Sequence, residues 1–387
     1  MQLARSLQQI KPSYLREILQ AASAQDVISL AGGLPDQDSF PLALMQTSLA
    51  QLTKHPTLFQ YGNTAGYPPL LAYFREHYQL PLTHESLVCT GSQQALDLIA
   101  RAFINPNDKV AMEAPSYLGA IQVFGLAQAD IKTVSQQADG PNITELEACF
   151  AQADITCFYA VPDFHNPTGV CWSLAVRQKV AQLCQQYQVT LIEDVPYRDL
   201  RFSGEALPLV SSFCPEYSLV LRSFSKIATP GIRLGFVSGK ADWIAALNKI
   251  KQAADLHSNM PMQSVLLDLL QHPHFADHLM QLRQLYQARY QTLVAAIDKI
   301  LPHYCCVNKV EGGMFIWLTL PDCDVFTLAE DALAAGVAVV PSPVFYQETN
   351  CTTSALRLNF TNANKAELIE AIKRLANIIK QHCEKVC

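Results

Sequence analysis

The sequence predicts an α/β protein: a large domain with a mostly parallel sheet flanked by helices, followed by a smaller α+β domain. Two observations carry this. From about Leu87 to Gly239, short apolar runs alternate with amphipathic stretches, which is the pattern of strands and helices in turn. Past Gly239 the period becomes helical over residues 240–300, and strand patterns then return.

In order along the chain, LVCT reads as a strand and GSQQALDLIARAF as the helix after it. KVAMEA is a strand, YLGAIQVFGLA a helix and IKTVSQ a strand; ITELEACFAQA, ITCFYAVP, LAVRQKVAQLCQQY and VTLIEDVP continue the alternation. SLVLRSFS and RLGFVSG add two short apolar strands. A long helix is expected around residues 265–300, linking the two domains. CVNKVEGGMFIWLTL reads as a hairpin, LAEDALAAG as a helix, VAVVPS and SALRLNFT as strands, and KAELIEAIKRLANIIKQ as a closing helix. With 387 residues the chain exceeds one small core. The expected division is an N-terminal arm with part of the small domain (1–45), a large domain (46–280) and a small domain (281–387).

Half the residues are apolar and 16% are charged, a globular composition. The formal net charge of -6 argues against a nucleic-acid binder. No apolar run has the length of a bilayer span, and the opening MQLARSLQQIKPSYLREILQ has no apolar signal core, so no membrane partner and a cytoplasmic location are expected. The 12 cysteines are scattered without a C-x-x-C pair, which fits free thiols better than disulfides or a zinc site; no metal is expected.

Four segments carry candidate chemistry. In SFSKIATPGIRLGF (223–236) an apolar strand runs into Ser223, Ser225 and Lys226, then a Pro-Gly turn and Arg233. Burial at a strand end disfavours the ammonium, and a Schiff-base lysine uses that shift. The nearby hydroxyls and guanidinium suit a phosphate. IEDVPYRDLRF places Asp194 and Tyr197 at the carboxyl end of a sheet strand, where α/β sheets bind ligands. A carboxylate there can keep a pyridinium nitrogen protonated. VPDFHNPTG fixes a turn that presents the Asn166 amide. CTGSQQALDL is a strand, a glycine and a helix start with Ser92 and Gln93, whose free N–H groups suit an anion. Taken singly, each has a plainer reading: a surface lysine, a turn carboxylate, an ordinary turn and a capping serine.

Together, in this order, these segments resemble the fold-type I, class I/II aminotransferases, and most closely the subgroup with 2-aminoadipate and kynurenine aminotransferases. The likeness covers nearly the whole chain, from ISLAGGLPDQDSFP and FQYGNTAGYPPL through MEAPSYLGAI to EGGMFIWLTLP and ALRLNFT. It implies a transaminase carrying pyridoxal 5′-phosphate on Lys226, which also moves the proton between the substrate α-carbon and the cofactor. By the same likeness Asp194 pairs with the pyridine nitrogen, Tyr197 and Asn166 hold the ring oxygen, and Tyr117 stacks on the ring. Ser92, Gln93, Ser223, Ser225 and Arg233 hold the phosphate, and Tyr61 reaches the phosphate of a second subunit in a homodimer. Arg357 binds the substrate α-carboxylate, Gly33 allows close backbone approach, and Ser13 and Arg16 are candidates to read the substrate side chain. The expected partners are an amino acid and a 2-oxoacid, with 2-oxoglutarate the expected acceptor in a ping-pong reaction.

One departure touches side-chain preference: VVPSPVFYQ has Ser342 where similar enzymes have glycine, followed by Pro343. The alternatives are β-elimination or decarboxylation on the same scaffold and, from another class, an aminotransferase-like regulator. The regulator is disfavoured because GGLPD starts by residue 32, leaving no space ahead of it for a winged-helix domain.

Overall fold

The computed structural model describes residues 2–8, 14–21, 26–152, 154–347 and 353–383. Apolar runs become strands as the alternation predicts. In chain order these are β1 (Ile28–Ser29), β2 (His84–Cys89), β3 (Lys109–Ala114), β4 (Asp130–Gln137), β5 (Gly140–Pro141), β6 (Ile155–Ala160), β7 (Thr190–Asp194), β8 (Ser218–Ser223) and β9 (Gly235–Lys240). The later ones are β10 (Cys306–Val307), β11 (Phe315–Thr319), β12 (Val337–Ala338), β13 (Val340–Pro341) and β14 (Ala355–Asn359).

Strands β2 to β9 form one eight-stranded sheet in the order β2-β9-β8-β7-β6-β3-β4-β5. Its middle, β8-β7-β6-β3-β4, is parallel. β9 is antiparallel to both β8 and β2, so the two reversals cancel and β2 points the same way as β8. The carboxyl ends of β2, β3, β6, β7 and β8 therefore share one edge. The chain leaves β3 outward to β4, then returns to the other side of β3 as β6. That reversal opens a crevice at the edge where ligands bind.

Helices cover the sheet for local reasons. Ser173 caps the helix Leu174–Tyr187 by accepting a hydrogen bond from the Val176 amide. The helix Ser92–Phe103 buries Ala95, Leu96, Leu98, Ile99 and Ala100 on one face. The single long helix expected at 265–300 is instead two, Met260–Gln271 and Phe275–Ile300. Pro273 explains the break: it lacks an N–H and forces the preceding His272 into extended backbone. VAVVPS also divides, since β12 pairs with β1 whereas β13 joins a four-stranded sheet, β10-β11-β14-β13.

Buried ion pairs fix the segments that frame the crevice. Asp36 accepts from Arg289 at 2.7 Å, tying the chain just past Gly33 to the long helix Phe275–Ile300. Arg177, fully buried, donates to the carbonyls of Trp172, Pro208 and Pro162 and to Asp163 Oδ1 at 2.7 Å. Arg198 holds the other oxygen, Asp163 Oδ2, at 2.8 Å. Burial alone would raise the Asp163 pKa, and the two guanidiniums more than reverse that, so it is held low. This cluster clamps the loop that carries Asn166. Arg177→Ala is expected to lower the unfolding free energy by about 3–5 kcal/mol, because it strips a buried carboxylate of a partner. Urea denaturation followed by circular dichroism measures it; a loss under about 0.5 kcal/mol, the range of an ordinary surface change, would contradict the clamp.

Candidate functional site

A cavity opens at the shared strand edge, beside the crevice between β3 and β6. Its lining includes Ser92, Gln93, Tyr117, Asn166, Asp194, Tyr197, Ser223, Ser225, Lys226 and Arg233, ten of the residues expected from the sequence, together with Gly91, Tyr159, Val161 and Pro196. Each comes from a strand end or the loop after one: β2 leads to Ser92, β3 to Tyr117, β6 to Asn166, β7 ends in Asp194 and β8 ends in Ser223.

Lys226 donates through Nζ to the Gly33 carbonyl at 2.8 Å. Burial, with help from the positive Arg233 and Arg357, lowers its pKa to about 8. Asp194 is 4% exposed. Burial raises its pKa to about 7, and a hydrogen bond from the Tyr159 hydroxyl to Oδ2, 2.9 Å long, acts in the opposite direction. Its other oxygen, Oδ1, is buried and has no hydrogen-bond partner among the described residues. A buried acceptor left open in a cavity needs a donor, and a protonated ring nitrogen is one.

The opposite end suits an anion. Gly91 stands at φ 79°, a conformation that glycine adopts without strain, and no side chain caps the helix Ser92–Phe103 that follows. A Cβ on Gly91 would come within 3.0 Å of Arg233 Nη2. Arg233 lies just ahead of β9, in left-handed backbone at φ 52°, and donates to the Thr90 carbonyl at 3.2 Å. Ser223 Oγ accepts from the Ser225 amide at 3.3 Å. Uncapped N–H groups, a guanidinium and hydroxyls around one glycine turn make a phosphate cradle. Between the two ends, Tyr117 donates to Gln93 Oε1 at 3.0 Å; burial pushes its pKa up to about 12, so it stays a neutral phenol.

Arg357, on β14, reaches the same region from the other sheet. It donates to Asn166 Oδ1 at 2.8 Å and to the Ala31 carbonyl, and it lies over the Phe315 ring at 4.4 Å. Burial lowers its pKa to about 10, and its Nε has no partner among the described residues. Asn166 Nδ2 also donates to the Tyr197 hydroxyl at 3.4 Å.

Other expectations fall differently. Tyr61 lies away from the cavity lining, 79% exposed with its ring edge against His257. Gly33 touches the site through its carbonyl on Lys226. Ser13 and the Arg16 side chain lie outside the described residues. Ser342 is buried, and its hydroxyl accepts from the Ala355 amide at 3.1 Å and donates to the Thr353 carbonyl, pinning its loop to β14. Of the four lining residues not expected from the sequence, Tyr159 is the one that hydrogen-bonds Asp194; its available signal was a lone phenol near the end of the apolar run ITCFYA.

The low Lys226 pKa has a direct check. The amine becomes nucleophilic as pH rises through its pKa, so in cofactor-free protein its acylation by acetic anhydride is expected to rise with a midpoint near 8. Quantifying the Lys226 peptide by mass spectrometry measures this; a midpoint of about 10.4, that of an exposed lysine, would contradict it.

Residues 25–375 match the family described as "Aminotransferase class I and II". The chain is 35% identical to aromatic-amino-acid aminotransferase 1 of Thermococcus litoralis, over 97% of this chain and 93% of that protein. It superposes with TM-score 0.94 and 32% identity on a kynurenine aminotransferase of Pyrococcus horikoshii solved with PMP, covering 100% of this chain and 98% of that one. The α-aminoadipate aminotransferase of Thermus thermophilus, complexed with N-(5′-phosphopyridoxyl)-L-leucine, gives TM-score 0.91 and 32% identity over 98% and 97% of the two chains. An open carboxylate acceptor, a neutralisable lysine and an anion cradle in one cavity suit pyridoxal 5′-phosphate, and this chain belongs to the class I and II aminotransferases, as a transaminase dependent on that cofactor.

Proposed function

We propose that the protein moves the amino group of an L-amino acid, with a 2-aminoadipate-like or aromatic side chain, to 2-oxoglutarate in a ping-pong cycle. The observation that carries this reading is the pairing of Lys226 with the open Asp194 Oδ1 in one cavity, with Arg357 at its margin.

When bound, pyridoxal phosphate supplies the electron sink for the pair left at the substrate α-carbon. The chain's own residues do the rest. Lys226 Nζ would hold the cofactor through its aldehyde group and would carry the proton taken from the substrate α-carbon. A pKa near 8 makes that amine a working base close to neutral pH. Asp194, ionised, keeps the ring nitrogen protonated. Asn166 and Tyr197 hold the ring oxygen, and Tyr117 packs on the ring face. Ser92, Gln93, Ser223, Ser225 and Arg233 hold the phosphate. Arg357 grips the α-carboxylate by its planar fork, which a lysine ammonium does not reproduce.

The same reading gives the chain its arm (1–45), large cofactor domain (46–280) and small domain (281–387). It makes the protein a homodimer in which Tyr61, exposed on its own subunit, reaches the neighbour's phosphate. Arg16 and Ser13 on the arm read the distal end of the substrate.

The test is a donor screen against 2-oxoglutarate, with glutamate quantified. Lys226→Ala is expected to cost roughly a thousandfold or more in kcat, since it removes the proton carrier. Arg357→Lys is expected to lower kcat/KM for the donor by about 10–100-fold, mostly through KM. Wild-type turnover in Lys226→Ala, or ammonia released without glutamate, would overturn the reading.

A further inference from the structure

We propose that Tyr159 is a positioning residue for amino transfer: its phenol occupies Asp194 Oδ2 and so leaves Oδ1 as the one carboxylate oxygen presented to the cofactor's ring nitrogen. The proposal rests on the role given to Asp194 above.

The placement follows from sheet register. Tyr159 on β6 pairs with Ile192 on β7, and Asp194 is two residues beyond Ile192. Side chains two apart on a strand share a face, so Tyr159 and Asp194 project to the same side of the sheet. The phenol meets Oδ2 at 2.9 Å. It cannot swing away: Tyr159 is 1% exposed, and its ring stands edge-on to Phe124 at 6.2 Å. An ionised carboxylate only accepts hydrogen bonds. With one oxygen held by a fixed phenol, the other, buried and open, is the remaining acceptor.

The electrostatics agree with the geometry. Burial favours the protonated form of Asp194, and the Tyr159 hydroxyl opposes that by donating to the charged form. Asp194 in turn keeps the phenol protonated, because burial and the nearby carboxylate both raise the Tyr159 pKa well above its ordinary value. The other titratable groups sharing this cavity are Tyr117 from the loop after β3, Tyr197 after β7, Lys226 after β8 and Arg233 before β9; Arg357 from β14 stands beside Asn166. None of these donates to Asp194, and Tyr159 alone among the described residues does so through a side chain.

A tyrosine serving merely as core packing is replaced by phenylalanine without consequence for titration. The experiment therefore compares Tyr159→Phe, Asp194→Asn and the double variant as holoenzymes. In Tyr159→Phe, kcat is expected to fall about tenfold with donor KM within about twofold, because a hydrogen bond to a charged group is lost. The acid limb of kcat against pH moves up by about one unit, since losing a donor to the charged form makes the carboxyl easier to protonate. The same shift is expected in the pH titration of the bound cofactor's absorbance, and cofactor re-added to apoprotein binds more weakly. In the Asp194→Asn background the Tyr159→Phe change adds little.

An unchanged pH profile, cofactor absorbance and affinity in Tyr159→Phe, beside a large loss in Asp194→Asn, would overturn the positioning role alone. Equal effects of Tyr159→Phe in both backgrounds would also overturn it. Wild-type kcat and cofactor affinity in Asp194→Asn would overturn the role of Asp194 and this proposal with it.

Discussion

Two groups of opposite charge held out of water in the same cavity set the terms for this molecule. Lys226 and Asp194 both line it, and burial pushes each toward its neutral form, the amine down to about 8 and the carboxyl up to about 7. Left in water, each would be fully charged at neutral pH and tied up by solvent. Desolvation makes the amine a base and nucleophile, and it leaves the carboxylate in need of a donor. Both properties suit the roles proposed for Lys226 and Asp194 toward pyridoxal phosphate.

Keeping two such groups in place requires a rigid frame, because buried polar atoms are costly when misaligned. The parallel strands deliver the strand ends to one edge, and the clamp at Asp163 holds the loop with Asn166. The smaller sheet contributes Arg357, whose guanidinium is fixed by Asn166, Ala31 and the face of Phe315. Asp36 and Arg289 hold the segment beyond Gly33, whose carbonyl receives the Lys226 amine. Large and small sheets thus meet at the site through hydrogen bonds between residues far apart in sequence.

Much of this was legible in the chain itself. Apolar runs at strand length gave the sheet, because β7 and β6 are buried on both faces and need no alternation. The cavity-lining residues at strand ends were legible because each sits where an apolar run meets turn chemistry, as Ser223-Phe224-Ser225-Lys226 does. Tyr159 was not, since a tyrosine inside an apolar run looks like core until the pairing of β6 with β7 sets it beside Asp194. The bond from Arg357 to Asn166 was hidden likewise, spanning 191 positions. The long helix failed for a local reason: helical stretches lie on both sides of residues 272–274, and the proline between them separates them.

The most direct measurement is covalent. Pyridoxal phosphate is added to the purified protein, borohydride is used to fix any attachment, and the digested peptides are weighed. The expected result is one modified residue per chain at stoichiometric yield, and that residue is Lys226. Attachment at another lysine, or protein that retains no cofactor mass after reduction, would contradict it.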